Sequence, residues 1–60
     1  MRYKVFCSTE YDHEYFRFDS KDQAVKLYNM AIDSHWFEYV CLYEIEEKER
    51  IVKDWSEDNG

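Results

Sequence analysis

The sequence predicts an α+β domain: a four-stranded antiparallel sheet in β-β-α-β-β order, with one helix packed on one face. Three observations lead there. Strand-favouring residues alternate with a period of two in two pairs of segments, one pair in each half of the chain. Between the pairs, Ala24, Leu27, Tyr28 and Ala31 recur at the i, i+3, i+4, i+7 spacing of one helix face. There is no proline, and the only glycine is Gly60, so nothing reads as a flexible linker or a glycine-rich phosphate loop.

The first strand is expected from Arg2 to Ser8, with Tyr3, Val5 and Cys7 on one side and Arg2, Lys4, Phe6 and Ser8 on the other. A turn follows near Glu10 to His13, built from Asp and His. The second strand, Glu14 to Phe18, sets Phe16 and Phe18 against Tyr15 and Arg17. Ser20 reads as a helix N-cap, with Gln23 three residues on to complete a capping box, and Asp19 and Asp22 suit the positive helix end. The helix should run from Lys21 to about Asp33, its apolar stripe widened by Val25 and Ile32, with His35 capping its C-terminus. In the dense run Trp36 to Ile45, Val40 and Leu42 oppose Tyr39, Cys41, Tyr43 and Ile45. A turn at Glu46 to Lys48 leads to a last strand, Glu49 to Trp55, with Ile51, Lys53 and Trp55 opposite Arg50, Val52 and Asp54. Residues 1–55 thus make one ββαββ domain, in a ferredoxin-like or ββαββ grouping, and residues 56–60 a frayed acidic tail.

The chain directions are satisfied by a strand order 2-1-3-4; the rival order 1-2-3-4 needs one parallel pair. The helix is expected on the Val40/Leu42 face, the less aromatic one. The other face would then carry several of Tyr3, Tyr15, Tyr39, Tyr43 and Trp55.

Composition narrows the function. Aromatic residues make up 20% of the chain, six of them tyrosine, yet the formal net charge is −6. One small core cannot bury so many rings, so some lie on an acidic surface. That favours a protein presenting a face to a partner over an enzyme with a pocket. A core of this size supplies only ~3–5 kcal/mol without help. The start, MRYKVFCSTE, shows no signal-peptide core, and no apolar run approaches a membrane span, so a cytoplasmic location is expected. There Cys7 and Cys41 act as small buried hydrophobes, although a bridge is possible if their strands are adjacent. The acidic balance disfavours direct nucleic-acid binding and anionic membranes, and suits a protein partner with a basic surface.

Cys7, His13, His35 and Cys41 lack the paired spacing of a zinc site, so no metal or other cofactor is expected. No nucleophile, base and oxyanion hole assemble, so no enzyme is expected either. The candidate binding residues are acidic clusters: Glu10, Asp12 and Glu14 at the first hairpin, and Glu44, Glu46, Glu47 and Glu49 at the second, with Asp54, Glu57 and Asp58 near the end. Alternate strand residues are about 6–7 Å apart, close to the spacing of phosphates along a nucleic-acid strand. Such an edge imitates a backbone, or it simply solvates a hairpin tip and discourages aggregation. Tyr39, Tyr43 and Trp55 are the expected aromatic anchors beside these carboxylates.

The hairpin YKVFCSTEYDHEYFRF, the capped helix SKDQAVKLYNMAID and the hairpin YVCLYEIEEKERIVKDW together cover most of the chain. In this pattern the chain resembles small acidic accessory proteins of bacteriophages and other mobile elements. The resemblance implies a recurring job, the inhibition of host defence nucleases, as by anti-CRISPR proteins, in the host cytoplasm. Lys48, Arg50 and Lys53, mixed into the acidic stretches, depart from a pure phosphate mimic. The expected function is non-enzymatic inhibition or modulation of a nucleic-acid-handling host protein. The alternative is a homo-oligomeric interaction module, a dimer through the aromatic sheet face, with no such target.

Overall fold

The computed structural model describes residues 2–57. Strand β1 spans Arg2–Ser8, β2 His13–Phe18, helix α1 Lys21–Ser34, β3 Tyr39–Ile45 and β4 Glu49–Ser56. The sheet order is β2-β1-β3-β4, and every pairing is antiparallel. The length of the helix sets the direction of β3. β2 ends at Phe18, beside Tyr3. The 14-residue helix then runs back about 21 Å, the length of a six- or seven-residue strand. β3 therefore begins beside Ser8 and runs antiparallel to β1, whereas beside β2 it would be parallel. The β-α-β-β-α-β order of ferredoxin-like folds is not seen among the described residues.

The helix covers the Val40/Leu42 face. Val5, Val40 and Leu42 are fully enclosed there, with Tyr3, Cys7, Ala24, Tyr28 and Ala31 around them. Full burial of such aliphatic side chains contributes about 1.5–3 kcal/mol each. Leu27, Val25 and Ile32 are only partly covered at the margins of the stripe. Alanines at positions 24 and 31 let the helix lie close to the sheet.

Several sequence expectations change. Ser20 has extended backbone and its carbonyl accepts the Ala24 N–H at 3.2 Å, but its side chain makes no capping bond, so the capping box does not form. The first-turn residues Lys21 to Gln23 are exposed, and water can serve their N–H groups. Tyr3 and Trp55 are not on the open face: Tyr3 is core, and Trp55, paired with Val40, packs against the core. A register shift between Leu42 and Tyr43 leaves Val52 without a mate and separates Ile51, opposite Tyr43, from Lys53 and Trp55. Cys7 pairs with Val40 and Cys41 with Phe6, so the two thiols lie on opposite faces of neighbouring strands and cannot bridge; both are free and buried.

Ser56 and Glu57 are tied to the sheet, where a tail frayed from Ser56 was expected. Ser56 belongs to β4, and the Glu57 N–H donates to the Glu38 carbonyl at 2.9 Å. Asp58 and the remainder of the predicted tail lie outside the described residues. His35 does cap the helix: it takes the left-handed conformation (φ 57°) that glycine usually fills, and its N–H donates to Ile32 O.

Candidate functional site

The uncovered face of the sheet is a carpet of rings. Phe6 lies at its centre, 4.8 Å from the Tyr15 ring and 5.9 Å from those of His13 and Tyr39. Lys4 runs along the same face. Its Nζ stands 4.8 Å from the Tyr15 ring and 4.7 Å from the Tyr43 ring, and donates to Glu49 Oε1 at 2.8 Å. These rings cover Lys4 and are covered by it, a cation–π arrangement sealed by an ion pair. The predicted anchors Tyr39 and Tyr43 are consequently half-buried.

Cys41 lies fully buried between those two tyrosines along the strand. Hydrogen bonding with Cys41 and then burial push the Tyr43 phenol up to about 12 and raise Tyr39 further still. Neutral tyrosine is thus favoured in the fold, whereas an unfolded tyrosine ionises near pH 10. The stability this supplies is complete below about pH 10, and is lost as pH rises toward about 12. Melting temperatures followed by circular dichroism should fall across that window. Phenolate absorbance should show Tyr43 titrating late, and Cys41→Ala should bring its titration back toward the ordinary range. On the other face, burial and then the Glu14 carboxylate raise the Cys7 thiol, which disfavours a nucleophilic thiolate.

The two acidic clusters lie at opposite ends of a molecule 30 Å long. At the β3–β4 end, Glu44 accepts from Arg50 at 3.3 Å and Glu49 is engaged by Lys4. The concavity there, about 540 Å³, is lined by Glu46 and Glu47 but also by Lys48 and Arg50. Only Glu46 and Glu47 of this predicted set have no such ion pair among the described residues.

The other end differs. Thr9 organises the β1–β2 turn: its N–H donates to Asp12 O at 2.7 Å, and its hydroxyl oxygen accepts the Tyr11 and Asp12 N–H groups. After the helix, Ser34 Oγ donates to Ala31 O and accepts the Trp36 N–H, while the Glu38 N–H donates to Ser8 O at 2.8 Å. These bonds hold Tyr11 and Trp36 on ordered backbone, with Tyr11 91% and Trp36 75% exposed. Trp36 borders two shallow clefts. One, about 350 Å³, is lined with Tyr11, Glu10 and Glu38; the other, about 180 Å³, with Asp12, His13 and Glu14. Among the described residues, no lysine or arginine pairs with these four carboxylates. Glu10, Asp12 and Glu14 are thus brought together, beside two rings that sequence reasoning did not single out. A signal existed: a single helix cannot cover residues in a turn or beyond its own C-terminus, which is where Tyr11 and Trp36 lie.

No helix among the described residues is long and apolar enough to cross a membrane. No protein-family model, curated protein or solved structure matches this chain.

Proposed function

We propose that this chain is a non-enzymatic binding protein that docks on the basic surface of a nucleic-acid-handling protein and inhibits or modulates it. The observation that carries the reading is the Tyr11–Trp36 end: two exposed aromatic rings on hydrogen-bonded backbone, among four carboxylates without a lysine or arginine partner among the described residues. Large rings supply area at low entropic cost, and the carboxylates steer a cationic surface and occupy the groups that would otherwise hold phosphates. The pattern-level resemblance to accessory proteins of phages and mobile elements supports the same class of target, met in the host cytoplasm. The β3–β4 carboxylates, half of them paired internally, add long-range steering.

Charge reversal tests this. Glu10, Asp12 and Glu14 changed together to lysine should leave the fold intact, as all three are exposed. The association rate with the target captured from a bacterial lysate should drop by about tenfold or more at low salt. Reversal of Glu46 and Glu47 should do less. The wild-type protein should also compete with DNA or RNA for the captured target. Unchanged association in the first variant, or a target that holds nucleic acid and this chain together without competition, would overturn the reading.

A further inference from the structure

The sheet has two free edges, β2 and β4. A free edge presents a row of backbone donors and acceptors, and monomeric proteins blunt it with bulges, prolines or charged side chains, lysine above all. β4 is blunted: its register slips at Val52, and Lys53 lies beside the slip. β2 is not. Its pairing with β1 is unbroken from His13 to Phe18. It contains neither proline nor lysine, and its two formal charges, Glu14 and Arg17, cancel. The helix packs over β1 and β3 more than over β2. Phe16 on one face and Tyr15 on the other are left 36% and 55% exposed.

We infer that β2 pairs antiparallel with β2 of a second copy of this chain, about a two-fold axis at Phe16, joining the two sheets into one. Charge and ring contacts together select this register. Two antiparallel strands related by a two-fold axis must set residues of the same face opposite each other, so the axis falls on a residue. With the axis at Phe16, that ring packs on its own copy. Tyr15 then stands opposite Arg17 of the second copy, a ring beside a cation. His13 comes opposite Asp19, and Glu14 opposite Phe18, so no like charges meet. An axis at Tyr15 would set Arg17 against His13 and Asp12 against Phe18, and would forgo the Tyr15–Arg17 contact. An axis at Arg17 or Glu14 would set two like charges face to face, which destabilises a strand pair. An axis at His13 or Phe18 would carry most of the strand past the end of its mate. The pairing extends the core of a chain too short to build a large one, and it leaves the Tyr11–Trp36 ends free.

Sedimentation equilibrium of the wild-type chain should give twice the 7.5 kDa protomer mass, dissociating on dilution as a mass-action equilibrium requires. Phe16→Lys should give the protomer mass. Phe16→Cys should form a disulfide-linked dimer under dioxygen, because a residue on the axis opposes itself. Tyr15→Cys and Arg17→Cys, which oppose other residues, should cross-link far less. Cys7 and Cys41 are buried and should stay reduced. A wild-type chain that sediments as a monomer at the highest concentration would overturn the inference. So would a dimer that gives no cross-link through Phe16→Cys, since that dimer would be built on another surface.

Discussion

Leu42→Ala should remove a third or more of the stability of the domain. Leu42 is fully buried, opposite Val5 and Lys53 and beneath the helix. Truncating a buried leucine costs about 2.7–5 kcal/mol, the larger values where the cavity cannot collapse. Collapse is poor here, because Val5 and Val40 are β-branched and stiff within paired strands. A chain of 60 residues has about 3–9 kcal/mol in all, at roughly 0.05–0.15 kcal/mol per residue. One substitution therefore removes between a third and the whole of the stability. Urea titration followed by circular dichroism should show the transition moved to much lower urea or lost. Ile51→Ala, on the other face and 53% exposed, should stay within about 0.5 kcal/mol of wild type. Equal losses for the two variants would mean that the helix does not cover the Val40/Leu42 face.

Trp36→Ala and Tyr11→Ala should have the opposite signature. Each should weaken target binding by about 2 kcal/mol or more, roughly thirtyfold, as expected of a central aromatic anchor. Neither should shift the melting transition, because both rings are largely exposed. Titration calorimetry with the captured target separates the two quantities. Tyr39→Ala and Tyr43→Ala should mainly destabilise, since those rings pack on Phe6 and Lys4 respectively. Full affinity in both Trp36→Ala and Tyr11→Ala would move the contact onto the open sheet face, where Tyr15→Ala would then be the decisive variant.

The elements were legible because their signals are local. The period-two run Tyr3, Val5, Cys7 and the helical stripe Ala24, Tyr28, Ala31 all became core. β1 matched its predicted bounds, and the helix ran one residue past them. The misses have a different character. In β4, strict alternation put Ile51 with Trp55, and the bulge opposite Leu42 and Tyr43 broke that phase. A bulge depends on the mating strand, which the strand's own residues do not encode. The candidate site was legible in half. Glu10, Asp12 and Glu14 lie around Trp36 in two adjoining clefts, close together because neighbours in a turn stay neighbours. Trp36 joins them only through the return of the chain after α1, where Glu38 bonds to Ser8.

Local patterning was enough to determine that this chain makes two hairpins around one helix and that the surface is acidic and rich in rings; which face of the sheet the helix covers is fixed by the assembled structure. Periodicity and side-chain chemistry act over a few residues, so they survive without knowledge of the rest of the chain. Only the tertiary structure decided where the excess rings go. Lys4 binds Tyr15 and Tyr43 into the open face, Glu44 and Glu49 are spent on internal cations, and Tyr11 and Trp36 are left outside beside carboxylates that no lysine or arginine pairs among the described residues. Those partnerships span up to 45 residues of chain and depend on strand order and register, which are properties of the assembled sheet.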